Sequence, residues 1–115
     1  MNDTKQGRDR GDLLRGALEM LILRTLAEAP MHGFGITEAL RQRSNTVLTV
    51  DEGSMYPALY RMQRRGWIAA EWGRSDNNRR AKFYALTDEG RQQLGAAADR
   101  WDRFSAAVSR VMGPA

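Results

Sequence analysis

A row of apolar residues near the C-terminus constrains this chain more than any other feature. Its spacings of three and four place the side chains in one seam of an α-helix, as at the a and d positions of a coiled coil. Burying a large apolar side chain is worth about 1.5–3 kcal/mol, so the seam needs a cover. The row consists of Leu94, Ala97, Trp101, Phe104, Val108 and Val111.

The remainder of a 115-residue chain has little core left to cover this seam. We therefore predict a homodimer, in which the same seam of a second copy and the outer side of the first helix provide the cover. The alternative is that the helix folds back on its own domain. We assign residues 87–115 to this C-terminal dimerisation helix.

The composition limits the classes of protein to which this chain can belong. With 42% hydrophobic and 28% charged residues, the chain has the composition of one folded domain. The absence of cysteine excludes disulfides and Cys-based zinc sites. No uncharged apolar run approaches the roughly 18 residues that a membrane span requires, and the polar N-terminus does not resemble a signal peptide. We expect a soluble cytoplasmic protein without a membrane partner, preceded by a disordered lead-in over residues 1–12.

The net charge of +4 is concentrated in the middle of the chain. Residues 53–66 contain three arginines and no acid, and residues 74–82 contain four basic side chains against Asp76 alone. Residues 87–115 balance four arginines against four acids. This local excess favours a polyanionic partner.

Residues 51–67 predict a short helix with two unlike faces. Met55, Leu59 and Met62 fall on one side, with Ala58 at its edge. Arginine can bind guanine or phosphate, and tyrosine and serine can reach phosphate oxygens, so the other side suits a DNA groove. An ordinary amphipathic helix with a solvated basic side is the alternative. The outward side carries Pro57, Tyr60, Arg61 and Arg64, flanked by Ser54 and Tyr56.

The ends of this helix have local signals. Asp51 or Ser54 can cap its first turn, which leaves two possible starts, and Gly66 can end it in a left-handed conformation.

Upstream, residues 13–27 predict another helix. It is apolar around most of its circumference, so it needs neighbours on more than one side.

The segment between these two helices predicts a turn over residues 31–35 and a second helix over residues 36–43. Residues 44–50 form a loop that can pair briefly as a strand. His32 has no metal-ligand partner at useful spacing. We therefore predict a capping or turn role for it, and no metal site.

Residues 67–74 and 80–86 predict two strands, joined by a turn over residues 75–79 that is rich in Asx residues. A helix–turn–helix followed by a basic hairpin places two cationic elements on one surface. The helix can enter a major groove while the hairpin lies against the neighbouring backbone or minor groove. The predicted fold class is mostly α with a small β-hairpin, a winged helix–turn–helix over residues 13–86.

Five blocks of the sequence carry a family resemblance that covers roughly residues 13–112. The blocks are LRGALEMLIL at 14–23, MHGFGI at 31–36, GSMYPALYRM at 53–62, GWI at 66–68 and YALTDEG at 84–90. Together and in this order, these blocks resemble the PadR-family transcriptional regulators, in particular their short branch with a single C-terminal helix.

The resemblance implies a repressor that is dimeric through its C-terminal helix and binds double-stranded DNA at a palindromic operator. Trp101 occupies the place of a tryptophan that, in the multidrug-responsive short members, stacks on a planar aromatic effector at the dimer centre; the alternative is a core tryptophan at the seam. By carry-over, the DNA contacts are Ser54, Tyr56, Tyr60, Arg61 and Arg64 on the helix, with Pro57 on the same face, and Arg79, Arg80 and Lys82 on the hairpin. The hairpin tip has no glycine, unlike that of many relatives.

Two other functions remain open at this stage. One is a small-molecule sensor with a pocket at the dimer seam, lined by Trp101, Phe104 and the first helix. The other is a winged-helix adaptor that binds protein and not DNA. The concentrated basic charge argues against it, because an adaptor has no need of that charge. The sequence has no catalytic triad, phosphate-binding loop or metal cluster, so we expect neither an enzyme nor a cofactor.

Overall fold

The computed structural model describes Leu14 and residues 17–114. The predicted lead-in over residues 1–12 and the predicted first residue of the first helix, Leu13, lie outside this part of the chain. Helix α1 is described over residues 17–26. The elements that follow are β1 (Met31–His32), α2 (Gly33–Arg43), α3 (Glu52–Arg64), β2 (Ile68–Arg74), β3 (Arg80–Leu86) and α4 (Asp88–Met112).

The three strands form one antiparallel sheet in the order β1-β3-β2. The hairpin of β2 and β3 is paired from Ile68 opposite Leu86 to Arg74 opposite Arg80. Strand β1 adds Met31 opposite Tyr84 on the other side of β3. The predicted hairpin is therefore confirmed, but it is part of a three-stranded sheet.

One prediction for the segment before α3 is wrong. The sequence predicted a turn over residues 31–35, whereas Met31–His32 is a strand and α2 begins at Gly33. The predicted loop over residues 44–50 is confirmed, and it does not pair as a strand. A two-residue strand has no alternating pattern of its own, because it exists only through its pairing with β3. The predicted capping role of His32 is confirmed, since its Nδ1 accepts a hydrogen bond from the Gly35 amide at 3.0 Å.

One apolar core joins the helices to the sheet. Helix α1 contributes four buried apolar residues while Arg24, between them, is exposed. The buried faces of α2 and α3 pack against it, and Ile68 and Tyr84 close it from the sheet. The core consists of Leu18, Ile22, Leu23, Leu26, Ile36, Leu40, Val50, Met55, Ala58, Leu59, Met62, Ile68 and Tyr84.

A close contact fixes the start of α4 against the end of α3. Thr87 caps α4 by accepting from the Gly90 amide at 3.0 Å, and its hydroxyl donates to the Gly66 carbonyl at 2.6 Å. A Cβ on Gly90 would lie 2.0 Å from the Trp67 carbonyl oxygen. Only glycine allows this approach, so the α4 backbone leaves the sheet in a defined direction.

Most of α4 projects away from the core. Gly90 is its buried residue, and Leu94 still packs against the core cluster. Beyond Leu94 the large side chains of the seam are exposed to solvent: Trp101 is 48% exposed, Phe104 61%, Val108 41% and Val111 85%. The alternative in which this helix folds back on its own domain is therefore wrong. No helix in the described residues combines the length and apolarity needed to cross a membrane.

Candidate nucleic-acid interface

Helix α3 has the two faces that its sequence predicts. Met55, Ala58, Leu59 and Met62 are buried, each at 1% exposure or less. The six side chains predicted for DNA contact all lie on the exposed side. They are Ser54, Tyr56, Pro57, Tyr60, Arg61 and Arg64.

The start of α3 is decided by Asp51. Its carboxylate accepts from the Ser54 amide at 2.8 Å, so Asp51 is the cap and the helix begins at Glu52. Pro57 then lies inside the helix and cannot donate to the carbonyl of Gly53. Both residues are exposed, so water can hydrogen-bond that carbonyl. The helix ends before Gly66, which has φ of +80° as predicted.

The arginines of α3 have different environments. Arg64 lies over the Tyr60 ring, 5.8 Å from its centroid, on the outward side. Arg61 donates from Nε to the Glu19 carboxylate at 3.4 Å, and Arg65 donates to the same carboxylate at 3.1 Å. In the unbound protein, Arg61 is therefore directed to α1. Sequence reasoning missed this contact because Glu19 lies 42 residues earlier in the chain.

The hairpin tip forms a regular turn without glycine. Asn78 adopts φ of 58°, a left-handed conformation that asparagine tolerates. The Ser75 amide donates to the Arg79 carbonyl at 2.9 Å, and the Arg74 guanidinium donates to the Asn78 carbonyl at 3.2 Å. The left-handed position of this turn is therefore occupied by an asparagine.

The basic side chains of the hairpin lie beside aromatic rings. Arg80 is exposed and its guanidinium carbon lies 4.4 Å from the centroid of Trp72. Lys82 is half-buried, with Nζ 5.9 Å from the centroid of Tyr84. Burial raises the pKa of the Tyr84 hydroxyl, and nearby Tyr56 raises it further. Tyr84 therefore stays neutral at physiological pH, so the charge here is positive.

A cleft of about 690 Å³ lies between the hairpin and the first turns of α2 and α3. A Cβ on Gly33 would lie 2.8 Å from a ring carbon of Tyr56, so glycine is what lets this ring pack closely on the start of α2. The cleft brings together four predicted DNA contacts: Tyr56, Arg79, Arg80 and Lys82. Sequence reasoning missed Phe34 and Trp72, which also line it. The sequence offers no signal for either residue, since Phe34 lies between two glycines and Trp72 lies between Glu71 and Gly73.

The other predicted site residues lie apart from this cleft. Tyr60, Arg61 and Arg64 continue the exposed face of α3 outside its lining. The predicted effector residues Trp101 and Phe104 are on α4, with ring centroids 6.2 Å apart and a tilt of 43°. Their rings are exposed in the single chain.

A helix–turn–helix whose second helix is basic on its open side, followed by a basic hairpin, defines a winged-helix DNA-binding protein. Comparison with known proteins agrees. Residues 22–96 match the model of the transcriptional regulator PadR-like family. The chain belongs to this family, so it is a transcriptional regulator and not an enzyme.

Solved structures of PadR-like regulators have the same fold. One from Bacillus cereus is 30% identical, covers 90% of this chain and 99% of its own, and superposes with a TM-score of 0.77. One from Eggerthella lenta is 25% identical over 99% of this chain and 97% of its own, with a TM-score of 0.81. A PadR-like transcription factor from Bacteroides fragilis is 28% identical over 96% and 99%, with a TM-score of 0.69.

Proposed function

We propose that this regulator is a repressor that binds a palindromic operator as a homodimer. The observation that carries the proposal is that one chain has two separate surfaces without a partner. One is the basic surface of α3 and the hairpin, and the other is the apolar seam of α4. A second copy is the occupant that suits the seam, because equal seams on two helices are complementary under a twofold axis.

The twofold axis of the proposed dimer determines the expected symmetry of the operator. Two α3 helices related by it read two half-sites about one helical turn apart, so the operator is palindromic. On each half, the outward side chains of α3 enter the major groove while the hairpin contacts the backbone. The contacts are Ser54, Tyr56, Pro57, Tyr60, Arg61 and Arg64 from α3, with Arg79, Arg80 and Lys82 from the hairpin.

Binding to DNA duplexes tests this proposal. The probes are the duplex upstream of the protein's own gene and duplexes selected from a random library. With about six to ten phosphates neutralised per dimer, the affinity falls by about 10³–10⁵ between 50 and 200 mM salt. Light scattering on the same samples gives the mass of the free protein and of the complex.

Arginine variants test the assigned face. Arg64→Ala weakens operator binding and leaves the dimer intact. Arg61→Ala has the same effect, because the Arg61 side chain leaves Glu19 and contacts the DNA in the complex. Arg24→Ala is the matched control, because Arg24 is an exposed arginine of α1 whose carboxylate neighbour is Glu28. Parental affinity in the Arg61/Arg64 double variant would exclude this face of α3. If no duplex binds the parent protein, the adaptor function becomes the better explanation.

A second function, sensing of a small molecule, is favoured by the pair of rings on α4. Trp101 and Phe104 lie 6.2 Å apart at the centre of the exposed seam, where a planar aromatic effector can stack. Binding there changes the packing of the two α4 helices, and with it the separation of the two α3 helices.

Titration of tryptophan fluorescence with ethidium and proflavine, without DNA, tests this function. We expect quenching in the parent and little in Trp101→Phe, because the other tryptophans, Trp67 and Trp72, lie outside the seam. Equal quenching in both proteins would place the dyes elsewhere. No quenching by a broad set of planar compounds would make Trp101 a residue of the interface core only.

A further inference from the structure

The cleft between the hairpin and α2 contains aromatic surface that the protein itself does not cover. Phe34 is 66% exposed and Trp72 is 57% exposed, and both line this cleft. Large apolar side chains grouped in one exposed concave surface mark a site of interaction. The rings come from different elements, α2 and β2, so their common orientation is a property of the tertiary structure.

The charges around the cleft define the chemistry of its occupant. Its lining includes Arg79, Arg80 and Lys82, against the single carboxylate of Asp76. Arg80 stacks on Trp72 at 4.4 Å, which holds the indole in place and puts a positive charge directly on the aromatic wall. The occupant is therefore an anion that also presents apolar surface close to its charge.

We propose that the sugar–phosphate backbone of one operator strand lies in this cleft, with deoxyriboses packed against Phe34 and Trp72. A DNA strand combines phosphates with the apolar faces of its sugars, which matches the combination of cations and aromatic rings in the lining. This inference rests on the proposed function and adds to it: Phe34 and Trp72 become DNA-binding residues whose contribution is apolar.

An apolar contribution has a distinct dependence on salt. A cation that neutralises a phosphate releases counterions, so its contribution falls as salt rises. A ring packed on a sugar releases none, so its contribution is the same at every salt concentration. The two kinds of contact can therefore be separated by measuring the slope of log affinity against log salt.

The experiment measures the affinity of the full-length protein for the selected operator duplex across a range of salt. Trp72→Ala and Phe34→Ala each weaken binding about tenfold at every salt concentration, with the parental slope. Arg79→Ala lowers the slope by about one unit per protomer. Trp72→Phe keeps most of the affinity because it keeps an aromatic ring. Glu71→Gln is the control, since Glu71 is exposed beside Trp72 but faces Phe83 on the other side of the sheet.

Acrylamide quenching of tryptophan gives a second, direct measurement. Bound operator protects part of the fluorescence in the parent, and this protected part is missing in Trp72→Phe. Circular dichroism of each variant shows whether it is folded. Parental affinity of folded Trp72→Ala and Phe34→Ala overturns the inference, and so does a loss of affinity that disappears at high salt. If the parent binds no duplex, the proposed function fails first and this inference with it.

Discussion

Helices α3 and α4 have similar sequence patterns, but their apolar faces differ in burial. Each has apolar residues at spacings of three and four and polar residues elsewhere. On α3 the apolar residues are buried to 1% exposure or less, whereas on α4 those from Trp101 onward stay open in the single chain. An amphipathic pattern therefore predicts that a face will be covered, but not whether the same chain covers it.

The difference follows from where each helix begins. Helix α3 lies across the core, between α1, α2 and the sheet, so its apolar face meets three elements. Helix α4 starts at the end of the central strand, β3, in a direction fixed by Thr87 and Gly90. Its 25 residues extend about 37 Å at the α-helical rise per residue. The core ends near Leu94, and the rest of the seam stays exposed in the single chain.

The largest expected effect comes from placing a charge in the α4 seam. Phe104→Glu weakens dimerisation by about 10²–10⁴-fold, because two phenylalanine rings per dimer lose their burial. The monomer stays folded, since the residue is already exposed there. Light scattering over a dilution series measures the change. The control is Ala106→Glu, an exposed position about 200° away around the helix. Dimers of parental stability in Phe104→Glu would show that this seam is not the interface.

The matching change on α3 destabilises the fold. Leu59→Ala lowers the free energy of unfolding by about 2–5 kcal/mol, because it leaves a cavity in the core. Made in the Phe104→Glu background, it can be measured by urea denaturation without a contribution from dimerisation. Its neighbour Tyr60 is exposed, so Tyr60→Ala changes stability by about 0.5 kcal/mol or less. Similar losses for both variants would contradict the two-faced description of α3.

A smaller effect is expected where α4 joins the domain. Thr87→Ala removes the cap of α4 and the hydroxyl bond to Gly66, and lowers stability by about 0.5–2 kcal/mol. Thermal denaturation measures it, with exposed Thr49 as the control position for Thr→Ala. An unchanged melting temperature would show that Thr87 does not set the start of α4.

The smallest expected effect on stability concerns Glu19. Its ion pairs with Arg61 and Arg65 are exposed, so Glu19→Gln changes the free energy of unfolding by less than about 1 kcal/mol. Both arginines become free to meet phosphates, so DNA binds several-fold more tightly, with a steeper salt dependence. Glu38→Gln, which disrupts the pair with Arg41 on α2, is the control. Parental affinity in Glu19→Gln would show that the pair does not compete with DNA.

Elements with local signals were predictable from the sequence. Asp51 and Thr87 cap the helices that follow them, Gly66 ends α3, and the Asx-rich turn joins two strands. Features that depend on distant pairing were not. Strand β1 exists only against β3, the Glu19–Arg61 pair spans 42 residues, and Phe34 and Trp72 line one cleft only in the folded chain.

By itself, the sequence determined the order of the helices and of the two hairpin strands, the two faces of α3 and the concentration of positive charge in the middle of the chain. These properties depend on residue spacing and capping, which act over a few positions. Only the tertiary structure decided that the α4 seam stays uncovered, that Arg61 is turned to Glu19, and that two aromatic rings share a basic cleft. Each of these depends on the direction in which one element leaves another, and that direction results from the packing of the whole core.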